Sequence, residues 1–504
     1  MAARPAFPSS FLWIGSSMPL HALEHDYAAL PQRCYAHVRP TPAPAPSLLA
    51  LNTALAAELG LAPDDLASPL GLATLAGSVV PPGAKPLAMA YAGHQFGHFV
   101  PRLGDGRAIL LGELRAPDGS LRDVQLKGAG RTPFSRGGDG RNWLGPVLRE
   151  YVISEAMHAL GVPTTRALAA VATGDTVLRE RPRPGAVLTR VAQSHVRVGT
   201  FEYFACRDDV DALRALVDYV LARHFPDDVG AASPALALLA RAVSGQAELV
   251  ARWLSLGFVH GVMNTDNCSV VGDTIDYGPC AFLDAYHPEK VFSSIDRGGR
   301  YAFGNQPHIA QWNLMVLAQC LVPLLNEHEL TLAEAAVNAF APRFDAAYSR
   351  RMHAKLGLEA DEATDAALID DLLARMADGE ADFHLVFRAL SELDATPSVA
   401  DDALRRLFRT PAAIDPWLDR WRERLRSEAR TDSARQRAMR AVNPAIIPRN
   451  HNIEAMIDAA LQGDLAPLHR LIQALRTPFE LGDYADLARP PAPHQVVTQT
   501  FCGT

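Results

Sequence analysis

Lys127 and Glu150, and further along the chain Asp266, Asn267 and Asp276, are the residues whose types and spacing could carry chemistry. Lys127 closes the run Val124-Gln125-Leu126-Lys127, and Glu150 follows 23 residues later, where the sequence has turned helical. A strand lysine paired with a helix glutamate is an ammonium held ready for nucleotide phosphates. Taken singly, each would read as a solvated charge on its own element. The second group lies in His260-Gly261-Val262-Met263-Asn264-Thr265-Asp266-Asn267, followed by Asp276-Tyr277-Gly278. Asn267 and Asp276 offer two hard oxygen donors, which suit Mg²⁺ when waters and phosphate oxygens complete the shell. A bound nucleotide is thereby implied. Asp266, next to Asn267, is the candidate proton acceptor, its plainer reading being a loop cap or a charge of the metal shell. Arg190 and Arg197 flank the end of a strand-rich stretch, and isolated arginines of this kind ordinarily make weak surface pairs.

The elements that must position these groups can be read from hydrophobic period and turn residues. His98 to Leu103, Ala108 to Leu114 and Leu121 to Lys127 read as a three-stranded meander with turns at Gly104-Asp105-Gly106 and Pro117-Asp118-Gly119. Five glycines between Gly128 and Gly140 argue for an irregular loop. Leu144, Val147, Leu148, Tyr151, Met157 and Leu160 then recur at helical spacing until Gly161-Val162-Pro163. Strand character returns and ends near Ala186 to Val191. Beyond Asp209 the chain reads as almost wholly helical, with stripes at Leu213 to Leu221 and Leu236 to Leu256. The exception is Cys268 to Val271 and Thr274 to Asp276 around Gly272-Asp273, which predicts a hairpin folding Asp276 back beside Asn267. Upstream, Leu48, Leu51, Leu55 and Leu59 predict one packed helix between Pro- and Ala-rich connectors.

This order of elements is that of a protein kinase, so the expected fold is α+β and two-lobed, a strand-rich N-lobe before a helical C-lobe. Where a kinase keeps its catalytic aspartate, two residues after His260, this chain has Val262, which cannot accept a proton. A standard kinase mechanism is therefore broken.

Composition narrows the partners. The chain has 504 residues, 48% hydrophobic and 21% charged, the profile of a globular protein with room for several cores. A formal net charge of −8 gives no overall attraction to phosphate polymers, so nucleic acid is not an expected partner. Six cysteines, with no CxxC and no Cys/His spacing, announce neither a zinc site nor a disulfide framework. The best apolar run, Leu314 to Leu325, contains Gln319 and Pro323 and falls short of the roughly 18 residues of a membrane span. Phe11 to Gly15 is too short for a signal-peptide core. The expected setting is the reducing cytoplasm, with no membrane contact.

Taken together, Tyr91-Ala92-Gly93-His94-Gln95-Phe96-Gly97, Gly104-Asp105-Gly106-Arg107-Ala108, Leu126-Lys127-Gly128-Ala129-Gly130, Ser154 to Gly161, the 260 to 278 segment, Asn443-Pro444, Arg449-Asn450-His451 and Cys502 resemble the selenoprotein O (SelO) family. The resemblance covers nearly the whole chain. It implies a pseudokinase fold that acts as a protein adenylyltransferase, moving AMP from ATP to Ser, Thr or Tyr hydroxyls of proteins with Mg²⁺ or Mn²⁺. The nucleotide would lie inverted relative to kinases, its α-phosphate facing the acceptor. Carried over by motif, Lys127, Arg190 and Arg197 hold phosphates, and Gly104, Gly106, Arg107, Asp139 and Gly140 also meet the nucleotide. Asp266 is the base, Asn267 and Asp276 bind metal, and Glu150 pairs with Lys127. The resemblance further implies a redox pair, Cys280 with Cys502. The expected divisions are 1–90 as an N-terminal extension, 91–205 as N-lobe, 206–440 as C-lobe and 441–504 as a C-terminal extension and tail. Two other readings stand beside this one: uridylyl transfer from UTP with Mn²⁺, and a non-catalytic nucleotide-binding scaffold.

Overall fold

The computed structural model describes residues 20, 22–360 and 362–501. Its centre is a nine-stranded antiparallel sheet in a mixed α+β architecture. Seven strands form the main path, in the order Tyr35–His37, Leu87–Met89, Ala108–Arg115, Leu121–Lys127, Pro182–Ala192, Arg166–Leu178 and Ser47–Leu51. Leu23–Glu24 adds to Ala108–Arg115, and Asn142–Trp143 to Pro182–Ala192.

Alternation along the strands sorts side chains onto two faces. Val124, Leu126, Val187 and Val191 join Leu55, Leu66 and Leu75 of three short helices in one buried cluster. Gln125 and Lys127 point the other way, and register places Leu188 opposite Lys127 and Arg190 opposite Gln125. That second face is covered by the helix Leu144–Ala159, whose Val147, Leu148, Tyr151 and Val152 are buried in the larger core. Glu150 is on this helix, so the packing that buries the helix also brings its carboxylate beneath the sheet lysine. The same core runs on through the helices Val210–His224, Pro234–Ser255, Gln306–Leu321 and Phe340–Leu356. These agree with the helical stripes of the sequence. Among the described residues no helix is long and apolar enough to cross a membrane.

Three local expectations are corrected. The run at residues 98–103 does not join the meander: His98–Val100 pairs with Gly93–Gln95 in a separate two-stranded sheet. Its place beside Ala108–Arg115 is taken by Leu87–Met89, all three residues of which are buried, whereas His98 and Phe99 are exposed. The leucine stripe from Leu48 to Leu59 is no single helix. Ser47–Leu51 is an edge strand on Arg166–Leu178, and only then does the Asn52 side chain, accepting from the Leu55 amide at 3.1 Å, cap the short helix Thr53–Glu58. The hairpin around Gly272 does not form either. Its two limbs pair outward, Ser269 with Arg197 and Thr274 with Thr164, although Gly272 does make the turn at φ +82°.

Candidate active site

The Lys127 ammonium donates to Glu150 at 2.6 Å and to Asp276 Oδ1 at 2.7 Å. Arg190, one strand over, reaches the same two carboxylates, at 2.6 Å to Glu150 and 2.8 Å to Asp276. Arg197 completes the set at 3.4 Å from Asp276 Oδ2. Three cations thus face two carboxylates. Lys127, Glu150, Arg190 and Arg197 are all at most 6% exposed, while Asp276 stays partly open. Burial opposes the charge on Asp276, but Lys127, Arg190 and Arg197 outweigh it and hold the carboxyl well below the usual carboxylate range. Burial likewise works against Glu150, and Arg190 with Lys127 brings it down. The Asp276 backbone adopts φ +66°, left-handed for a residue with a Cβ, a conformation that the ion pairs offset.

The loop carrying Asp266 is pinned from several directions. His260 stacks on Trp253, and its Nε2 lies 2.9 Å from the Ile275 carbonyl, which ties this loop to the Asp276 segment. Asn264 Oδ1 accepts from the Tyr301 hydroxyl at 2.6 Å and the Phe96 amide at 3.1 Å, and Thr265 Oγ1 accepts from the His94 amide at 2.7 Å. Gln95 donates to Asp266 Oδ2 at 3.2 Å. Arg197 donates to the Asp266 main-chain carbonyl at 3.0 Å and lies over the Tyr91 ring at 4.3 Å. Asp266 Oδ1 and Arg197 Nη2 are buried with no hydrogen-bond partner among the described residues. Burial pushes the Asp266 carboxyl up to about 7, against the bond from Gln95 and the charge of Arg197. Gly93 is required here: a Cβ would come within 2.6 Å of Asp266 Oδ1.

One cavity of about 680 Å³ collects these groups. Lys127, Arg190, Arg197, Asp266, Asn267 and Asp276 line it together with Gly104, Gly106, Arg107, Asp139 and Gly140. Every proposed nucleotide residue is therefore brought to a single concave surface, with Glu150 directly behind Lys127. Gly104 sits at φ +69° with Phe134 packed where its Cβ would be. Asp139 is committed to Arg179, at 2.8 and 3.1 Å, so it orders the loop while it lines the wall. Val262 also lines the cavity and presents only methyl groups where the kinase comparison called for a base.

Asn267 donates its amide nitrogen to the Val262 carbonyl at 3.0 Å, which turns that nitrogen away and leaves the amide oxygen as the side chain's only possible donor to a cation. Among the described residues no cluster of three or more His, Cys, Asp or Glu could hold a metal. The Asn267 and Asp276 oxygens fit a cation of the Mg²⁺ type, which takes few protein ligands and fills its shell with water and phosphate.

Cys280 is buried just beyond this wall, and its carbonyl accepts from Arg149 at 2.7 Å. Cys502 lies outside the described residues. Thr500 is held against the same segment: its hydroxyl donates to the Pro279 carbonyl at 2.5 Å and its amide to the Phe292 carbonyl at 2.7 Å. Tyr91, Gly93, Gln95, Asn264 and Thr265 had no assigned role in the sequence. The signal available was the density of Gly, His, Gln and aromatic residues from Tyr91 to Gly97.

Residues 20–476 match the family model described as Protein adenylyltransferase SelO. The chain is 58% identical over 486 residues to a protein of Rhodopseudomonas palustris (strain BisB5) named "Protein nucleotidyltransferase YdiU", covering 95% of this chain and 99% of that one. A protein of the same name from Bradyrhizobium diazoefficiens is also 58% identical, with the same coverage of both chains. One from Alkalilimnicola ehrlichii is 56% identical over 491 residues, covering 96% and 99%.

Proposed function

Because the chain belongs to the SelO family of protein nucleotidyltransferases, we propose that it transfers AMP from ATP to Ser, Thr or Tyr hydroxyls of other proteins and releases pyrophosphate. The observation that carries this reading is the convergence of Lys127, Arg190 and Arg197 on Asp276 in the same cavity that Asp266 and Gln95 line, with apolar Val262 at the kinase base position. In this assignment the three cations take up the phosphate charge. Asn267 and Asp276 hold Mg²⁺ or Mn²⁺, which supplies further charge to the phosphates. Gly104, Gly106, Arg107, Asp139 and Gly140 contact the rest of the nucleotide, laid inverted relative to kinases. The acceptor oxygen bonds to the α-phosphorus as the bond to the β-phosphate oxygen breaks, and Asp266 takes the hydroxyl proton. A carboxyl near 7 suits a base working at neutral pH. We read the sheet and the helical half as the two lobes of a protein-kinase-like fold acting in the cytoplasm, with 91–205 and 206–440 as the body, 441–504 as an extension, and 1–90 as an extension that adds the strands Leu23–Glu24, Tyr35–His37, Ser47–Leu51 and Leu87–Met89 to the sheet.

Label position tests the reaction. Label from α-³²P-ATP appears on protein acceptors or on the enzyme itself, and label from γ-³²P-ATP does not; intact mass rises by whole adenylyl units. Transfer of γ-label would mean an ordinary kinase, and an unchanged mass with ATP and metal would mean a scaffold. UTP is the competing donor, since the residues assigned to the phosphates are indifferent to the base; α-³²P-UTP outrunning α-³²P-ATP makes this a uridylyltransferase.

We also propose that Cys280 pairs with Cys502, the two thiols giving up two electrons and two protons to a cellular disulfide. The docking of Thr500 on residues 279–294 supports it by holding the tail beside Cys280. Dithiothreitol is expected to raise activity on a protein acceptor in the native chain, and a Cys280→Ala or Cys502→Ala variant to be active without it. An oxidised sample with no Cys280 to Cys502 peptide on non-reducing mapping removes the pairing.

A further inference from the structure

A second cavity, of about 330 Å³, shares no lining residue with the first. It is formed where the C-terminal end of the helix Pro234–Ser255 meets the helix Phe340–Leu356, with Val442 and Phe479 on its far wall. Arg252, Arg350, Arg351 and Lys355 line it, and no carboxylate does. Glu248, outside the lining, is the partner of both Arg350 and Arg351, at 2.6 and 3.2 Å. Arg252 donates to the Gly161 carbonyl, but its Nε is buried with no partner, and the same is true of Arg351 Nε. Burial, followed by the charge of Arg252, holds the Arg351 guanidinium below its ordinary value, so the two cations repel one another across the site.

Lys355 is the most informative member. It is 2% exposed, its ammonium has no hydrogen-bond partner among the described residues, and it lies over the Phe387 ring at 4.2 Å. Burial pushes this ammonium down to about 7. A buried, unpaired ammonium is costly, and cation–π contact offsets only part of that cost. Guanidinium forks match phosphate oxygens in pairs, while lysine meets them as a point charge.

We propose that this cavity is a binding site for a small soluble polyphosphate anion, of which pyrophosphate is the simplest probe. More than one phosphate is called for because three guanidinium groups, Arg252, Arg350 and Arg351, line the cavity and the one carboxylate beside it, Glu248, pairs with only two of them. A free small anion is favoured over a phosphorylated protein side chain because the Nε donors of Arg252 and Arg351, which have no partner among the described residues, are buried. The proposal does not depend on the reaction assigned above.

Calorimetry on the full chain with pyrophosphate, in metal-free buffer without phosphate or sulfate, tests it. The wild type is expected to bind two pyrophosphates, one at each cavity. Arg351→Gln and Lys355→Met each weaken one of the two by at least tenfold and leave the other unchanged, whereas Arg190→Gln does the reverse. Lys355→Met is also expected to raise Tm in anion-free buffer and to reduce the rise that pyrophosphate causes in the wild type. Pyrophosphate binding that Arg351→Gln leaves unchanged, whether the wild type takes one or two, overturns the proposal. So does a lower Tm for Lys355→Met with both sites intact, which would make the lysine a packing element. Binding of a phosphoserine peptide but not pyrophosphate at this cavity would overturn the small-anion assignment.

Discussion

Asp276→Asn is expected to reduce nucleotidyl transfer by at least ~10³-fold, about 4 kcal/mol of transition-state stabilisation. The substitution keeps the shape of the side chain and removes its charge. Lys127 and Arg190 would then share Glu150 alone, Arg197 would lose its carboxylate partner, and the metal would lose its only carboxylate in the assigned pair. Both losses fall on the phosphates, so metal-dependent ATP binding is expected to fail along with turnover. Calorimetry for binding and α-labelled ATP for transfer read the two separately. Transfer within tenfold of wild type would remove Asp276 from the mechanism. The pH dependence has a definite sign. Because the folded Asp276 carboxyl is held well below its unfolded value, its contribution to stability is complete above the usual carboxylate range. That contribution is lost only as pH falls through the lower folded value, so the wild type, but not Asp276→Asn, loses it in acid.

Asp266→Asn separates chemistry from binding. General-base catalysis contributes typically ~10²–10⁴-fold, and a loss of that size in transfer is expected. ATP affinity is expected to stay within about threefold, because the bond from Arg197 goes to the main-chain carbonyl of residue 266 and does not depend on its side chain. The replacement amide fits where the carboxylate stands, with Gly93 still leaving room. Equal weakening of ATP binding by Asp266→Asn and Asp276→Asn would transfer Asp266 from base to metal shell.

Residues that share an element with strong periodicity were legible before any coordinates. Lys127 at a strand end and Glu150 on a helix 23 residues later do form the expected 2.6 Å pair, because strand alternation and helix packing leave each side chain little choice of direction. The helices from Val210 and Pro234 onward follow their leucine stripes for the same reason. What escaped the sequence depended on long-range pairing. Leu48 to Leu59 fits a helical stripe, yet the first half satisfies its main chain on Arg166–Leu178, a partner that local period cannot reveal. Cys268 to Asp276 has the composition of a hairpin, but Arg197 and Thr164 compete for its two limbs and win. Gln95 and Gly93 were invisible as site residues because their importance lies in approach to Asp266, 171 positions away from Gln95. Arg190 and Arg197, unremarkable as isolated arginines, become two of the five members of the charge cluster only once the sheet sets Arg190 opposite Gln125.

The edge strand Ser47–Leu51 has a consequence for how the protein is made. Its partners run from Ser47 with Ala172 to Leu51 with Ala169, so the strand emerges from the ribosome more than a hundred residues before anything can pair with it. At ~5–20 residues per second, Leu48-Leu49-Ala50-Leu51 waits on the order of ten seconds with its main chain unsatisfied and its apolar side chains in water. Co-translational folding of the sheet therefore cannot proceed strand by strand from the N-terminus. The segment must be shielded until the Arg166–Leu178 strand arrives, which makes the nascent N-terminal third the stretch most dependent on chaperones and most exposed to aggregation when synthesis stalls.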